Sequence, residues 1–416
     1  MHELPFRKAL KLIAPILVLG LVVLLPGVAA AKKPPKKHHP PKKPKPAVVG
    51  TMYAETNDGA ANQLVAFDRY SNGRLKLRQT VDTGGKGGLQ PEPGCDPPGG
   101  CPLLDSQGEV ATTNDGKLVF AVNAGSNTIS SFTAGKKSVA LADQVASGGV
   151  FPNSLTIHGD LLYVLNTNSK NIAGFRFSAA GKLTPIPGSS QALTAEAAPL
   201  SRQIGFDRDG NFLVVTLLTN AAFDTFKVTN GVAGPATAHP SASPEPFAFS
   251  FDQQNNMYAA EIVNDQNFTQ ASNASSYSLT SSGGLTTIAS VSTQGYAACW
   301  TEITKNGKWL FVVNTGGPSP FGATVTTFAL APSGQLTFKG VTPKANSFTL
   351  TDEALSRDDK YLYVVAPLIN NPFASPPPAT NGSKIIEFKV GADGSLTKIG
   401  ETTERLAPGL SGLDGN

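Results

Sequence analysis

One pattern constrains the fold more than any other: an aromatic residue closing a short strand-like run, met seven times. The runs are LVAF, ISSF, AGFRF, FDTF, SSY, VTTF and IIEF, with Phe67, Phe132, Phe175, Phe226, Tyr277, Phe328 and Phe388 as the repeated aromatics. An apolar run precedes each, from TMY at 51–53 and LVF at 118–120 to WLF at 309–311 and YLY at 361–363. Most are followed by a turn with Gly and then Leu, as in SNGRL, SAAGKL and PSGQL. Asp-Gly and Asn-Gly pairs before the apolar runs mark tight hairpins that need a positive φ. Helical periodicity is nearly absent. A period of about 50 residues with three or four strands per unit is the signature of propeller blades. Each blade is one sheet that cannot bury both faces alone, which is why the phrase recurs. The pattern predicts an all-β, seven-bladed β-propeller over residues 48–416.

The ends support closure. The body starts at a second strand, VVGTMYAE, with no first strand of its own, and runs out through APGLSGLDG, which reads as a first strand with no second. Pairing 408–414 beside 48–54 completes one blade from both ends and leaves no open sheet edge at the seam. In such a ring the hairpins between first and second strands lie on one face. The long insertions 82–108, 261–273, 314–322 and 366–382 lie on the other. Loops free to lengthen are where function is usually placed, so an axial funnel on the insertion face is the expected ligand site.

The N-terminus has a different character. Three basic residues, Arg7, Lys8 and Lys11, precede an uncharged run from Leu12 to Ala31 that ends GVAAA. This describes a secretory signal over 1–31. The alternative is an uncleaved anchor, since about 20 apolar residues suffice to span a bilayer. Residues 32–47 hold seven Lys, six Pro, two His and one Ala. With nothing to bury, they form a disordered spacer, whose charge suits contact with a membrane or an anionic wall polymer. The expected location is therefore extracellular, periplasmic or at the cell surface. From position 48 onward 24 basic residues face 29 acidic ones, so the alkaline balance belongs to the tail. A mildly acidic body without a basic stripe argues against nucleic-acid binding. Cys95 and Cys101 in CDPPGGC read as a local disulfide of an exported protein, and Cys299 in YAACWTEI as a buried thiol. No Cys or His spacing suggests a metal, no cofactor motif is present, and a monomer is expected.

The "DG-K-x-L-Y-V" and "N-T-I-x-x-F" strands resemble those of the seven-bladed lactonase-like propellers, which include bacterial 6-phosphogluconolactonase and the fungal carboxymuconate lactonizing enzyme. The resemblance covers 48–416 and implies hydrolysis of a lactone or cyclic ester of a sugar or carboxylic acid. It also implies a Pro-Arg-His-type sequence opening the fourth blade. Here that stretch is SRQIGFDRDGNFLVVTLL, which keeps Arg202, puts Gln203 in place of His, and has Leu217 near the place of an acid. In FPNSLTI, Asn153 stands where a His-rich motif falls. A neutral Gln cannot act as general acid or base. The expected catalytic set is thus Arg202 as anion anchor, with Glu302 in CWTEI and Asp352 or Glu353 in LTDEAL handling the proton. Expected ligand contacts are Asn153, Gln203, Glu261 at a second-strand end, and Tyr296 and Phe321 in face loops. The competing expectation is a non-catalytic cell-surface propeller that binds a ligand or protein and is displayed on the basic stalk.

Overall fold

The computed structural model describes residues 44–88, 104–194, 200–263, 270–316, 322–343, 345, 349–367, 382–407 and 409–416. The expected signal segment, nearly all of the spacer, Cys95, Cys101 and Phe321 lie outside them. Within the described residues no helix is long and apolar enough to cross a membrane. The chain forms seven antiparallel sheets.

Six blades follow in chain order over 110–146, 152–192, 204–240, 245–292, 298–341 and 351–406. The remaining one, blade 1, joins Val48–Glu55, Gln63–Tyr70 and Leu75–Asp82 to Ser411–Gly415 from the other end of the sequence. The register pairs Met52 with Gly415, Tyr53 with Asp414 and Glu55 with Ser411. The expected closure is thereby met. In blade 3 the fourth strand is split into Leu183–Pro185 and Gln191–Ala192. Pro185 and Pro187 lie in that stretch, and proline cannot donate to a sheet ladder.

The seven repeated aromatics sit in the third strands and are all buried, with Phe388 the most exposed at 6%. They supply the packing between neighbouring sheets. Second strands are buried along nearly their whole length, as in Leu118–Asn123, whereas fourth strands alternate toward solvent. The hairpins between first and second strands carry the predicted positive φ: Gly210 has φ 71° in blade 4, and Asn255 and Asp359 adopt 64° and 55° in blades 5 and 7. Asn and Asp tolerate this region better than other non-Gly residues.

A second recurring device locks neighbouring blades. The glycine of the turn between third and fourth strands offers its carbonyl to a side chain of the preceding blade. Tyr163 donates to Gly231 O at 2.9 Å, Thr225 to Gly283 O at 2.9 Å, and Thr327 to Gly394 O at 3.3 Å. Across the closure seam, Tyr363 donates to Gly73 O at 3.0 Å. Closure therefore repeats the internal blade contacts.

Candidate functional site

The first strands line the axis and enclose a cavity of about 470 Å³ whose wall draws on all seven blades. At blades 4, 5 and 6 the wall reaches the ends of these strands nearest the hairpins: Phe206 with Arg208, Phe251, and Glu302 with Ile303. Arg208 is exposed, so the cavity opens on the hairpin face. This corrects the expected funnel on the insertion face. There the tail of the 82–108 insertion crosses the axis and closes it. The Gln107 carboxamide donates to Thr301 O at 3.0 Å and accepts from Thr301 N at 3.1 Å, and the Gln107 amide donates to Arg202 O at 3.0 Å. The Trp300 indole donates to Ser106 O at 2.8 Å. Innermost strands have an unpaired edge toward the axis, and this segment satisfies it.

Four carboxyl groups face the cavity: Glu302, Asp352, Glu353 and Asp414. Asp352 sits at a bulge between Thr351 and Glu353 with φ 38°, a left-handed conformation that costs a non-Gly residue about 1–2 kcal/mol. Its oxygens accept the amides of Glu353 and Leu413. Burial nevertheless raises its pKa to about 8, with the Asp414 charge adding to the rise. Asp414 accepts the amide of Thr112 at 2.6 Å and that of Gly415 at 2.6 Å. It stays lower, at about 6, because these bonds and Arg357 offset part of its desolvation. Glu302 is pushed well above the usual range by burial, then by the charges of Asp414 and Asp352. Glu353 is pushed up by burial and by Glu302 and Asp352, opposed by the Val313 amide. Neither Glu353 oxygen meets a hydrogen-bond donor in good geometry. Behind the wall, Glu109 accepts from Ser106 at 3.0 Å and is likewise raised by burial and neighbouring acids. Like charges confined at low dielectric cannot all ionise, so the cavity holds protons at neutral pH.

The family model described as lactonase, 7-bladed beta-propeller, matches residues 60–197. The chain is a seven-bladed propeller that is similar to the lactonase family over that stretch. A periplasmic gluconolactonase of Pseudomonas aeruginosa shares the fold at 14% identity and TM-score 0.63, over 88% of this chain and 98% of that one. A candidate 6-phosphogluconolactonase of Bacteroides fragilis is similar at 18% identity and TM-score 0.62, over 91% of this chain and 100% of that one. A functionally unknown protein of Desulfotomaculum acetoxidans aligns at 12% identity and TM-score 0.61, over 88% and 98% of the two chains. No curated protein matches the sequence.

On this lactonase-like frame the expected residues divide. Glu302, Asp352 and Glu353 converge on the cavity, and Gln203 also lines it. The Gln203 carboxamide is committed to the backbone of Phe249 in the next blade, accepting its amide and donating to its carbonyl at 3.0 Å. Arg202 does not line the cavity. It is buried, its guanidinium lies 3.3 Å from the Asp105 carboxylate, and it stacks over the Phe247 ring at 5.5 Å. Asn153 is fully buried and donates to Ser201 O at 2.8 Å, bridging blades 3 and 4. Glu261 is buried inside blade 5, accepting from Ser275 and Tyr277. Tyr296 is half-buried in the loop before Ala298–Ile303. Cys299 is buried, as expected, and its thiol donates to Ala297 O at 3.3 Å. Asp414, Arg208 and the crossing residue Gln107 were not singled out from the sequence. Asp414 lay within the stretch recognised as the closing strand, but its exposure to the axis follows only from closure. Among the described residues no cluster of His, Cys, Asp and Glu has the geometry of a metal site.

Proposed function

We propose that the protein hydrolyses a neutral lactone or cyclic ester of a sugar or carboxylic acid inside the axial cavity. The observation that carries this reading is the split between two acids lining one cavity, Asp414 at about 6 and Glu302 held well above the carboxylate range by burial and then by the Asp414 charge. Asp414 therefore gives up its proton before Glu302 does, which is the division of labour general acid–base catalysis requires. Asp414 takes a proton from water as its oxygen bonds to the lactone carbonyl carbon. Glu302 hydrogen-bonds the developing oxyanion and then protonates the ring oxygen as its bond to that carbon breaks. Asp352 and Glu353 keep the pair in a low-dielectric, proton-rich setting. An acid-lined wall disfavours phosphorylated substrates, so a neutral lactone is the better match. The P. aeruginosa protein named a periplasmic gluconolactonase lends the reading support at the level of fold. The signal-like leader supports action outside the cytoplasm, as a monomer tethered or carried by its basic spacer.

The test is pH-stat turnover of a panel of neutral and phosphorylated lactones by the full chain and by Glu302→Gln and Asp414→Asn. The expected result is turnover of a neutral lactone, rising with pH through about 6, and reduced by about 10²–10⁴-fold in either variant. Absence of turnover on every lactone would sink the proposal. One observation favours a second reading, a surface propeller that binds without catalysis: Arg202, which the resemblance implies as anion anchor, is engaged by Asp105. Saturable binding of a polyol, with no turnover of any lactone, would favour it.

A further inference from the structure

A second cavity, of about 500 Å³, lies at the closure seam and has the opposite character. Three cationic side chains line it, Arg69 from blade 1 and Arg357 and Lys360 from blade 7, against the Asp358 side chain and the terminal carboxylate of Asn416. The body is acidic overall, yet this concavity keeps one surplus positive charge. Arg69 is the built element. Its side chain is only 5% exposed, its Nε donates to Asn416 O at 3.1 Å, and its Nη1 is 3.5 Å from Asp358. The last distance is at the limit of a hydrogen bond. Asp358 is shared, since it also lies 3.0 Å from Lys360 Nζ and accepts from Ser356 at 2.8 Å. A buried guanidinium is costly unless its donors are met, and these contacts use two of its five N–H groups.

We propose that this seam cavity is a binding site for the oxyanion of a small molecule, a carboxylate or a phosphate. The planar fork of Arg69 forms the floor and presents donors in the geometry such groups accept in bidentate fashion. The exposed Arg357 and Lys360 stand at the mouth and close over the bound group. Asp358 and Lys360 belong to the hairpin between the first and second strands of blade 7, so the site shares a face with the mouth of the acidic cavity. The site does not depend on the lactone reading.

The experiment is isothermal titration of the folded full chain with inorganic phosphate and, separately, with gluconate. Three proteins are compared: wild type, the surface variant Arg357→Ala/Lys360→Ala, and Glu302→Gln in the other cavity. Saturable one-to-one binding of either anion is expected, at least about tenfold weaker in the double variant, equivalent to one charge-assisted contact, and unchanged in Glu302→Gln. Binding of phosphate alone or gluconate alone identifies the oxyanion. Absence of saturable binding by both, undiminished affinity in the double variant, or a matching loss in Glu302→Gln overturns the site.

Discussion

Replacing Gln107 with Ala tests whether residues 104–109 close the axis. The carboxamide makes two bonds to Thr301, but their loss is unequal. Thr301 O also accepts from Ser250 Oγ at 2.9 Å and stays satisfied. Thr301 N points toward the axis from an inner edge strand and is left without its partner. A hydrogen bond contributes about 1 kcal/mol net, and an orphaned buried donor costs about 1–3 kcal/mol. The variant should therefore lose about 2–4 kcal/mol. The bonds from Gln107 N to Arg202 O and from Ser154 Oγ to Gln107 O at 2.6 Å survive, so the ring still folds. Denaturant midpoints give the energy, and tryptophan reports the place. Trp300 is buried at 1% exposure and is held to Ser106 O, whereas Trp309 is half-buried at the start of the second strand of the same blade. Loosening the crossing should raise acrylamide quenching and shift emission to the red. An unchanged midpoint together with unchanged quenching would refute the closure.

Arg202→Ala should cost about 3 kcal/mol, because it strands the Asp105 carboxylate and removes the stack on Phe247. It should leave turnover of a neutral lactone within a few-fold of wild type. Loss of turnover on the scale of Glu302→Gln, with stability intact, would return Arg202 to the chemistry. The axial acids also set how stability follows pH. Asp352 at about 8 and Asp414 at about 6 bind protons more tightly folded than unfolded. Their contribution is complete below about pH 4, the unfolded carboxylate range, and is lost as pH rises through about 6 and then 8. Denaturation midpoints should fall across that window, and Asp352→Asn should flatten the upper part. A midpoint that climbs from pH 5 to 8 would contradict the buried proton store.

The fold was legible because its signals are local and repeated. A buried third-strand aromatic and a positive-φ hairpin each need only a few neighbouring residues, and seven copies average out the exceptions. Closure was legible too, from a missing first strand at one end and a surplus one at the other. The site was less so. Insertion length pointed to the loop face, yet Gln107 finds Thr301, 194 residues away, and nothing in either short sequence announces the pair. Glu261 shows the opposite case, a signal present but unused. Second strands end AVN at Asn123, VLN at Asn166 and VVN at Asn314, so AAE at Glu261 occupies a repeated place. Asn123 donates to Ser130 at 2.8 Å and Asn314 to Thr326 at 2.8 Å, whereas Glu261 accepts from Ser275. Each ties the second strand to a hydroxyl of the third. Comparing these strand ends assigns Glu261 to that tie rather than to the rim.

The two cavities make a combined prediction that neither makes alone. Opening a neutral lactone creates a carboxylate, and it does so among Glu302, Asp352, Glu353 and Asp414. Repulsion from the negative charge that the Asp414–Glu302 pair carries expels the product, while Arg69, Arg357 and Lys360 attract it at the seam on the same face. If both assignments hold, added gluconate occupies the seam and leaves the reaction cavity free. It should lower kcat without raising KM for the lactone, or leave turnover untouched, and Arg357→Ala/Lys360→Ala should abolish any inhibition. Competitive inhibition that persists in the double variant would mean that the carboxylate re-enters the axis. The acidic lining would then not discriminate against anions, and the choice of a neutral substrate would lose its physical basis.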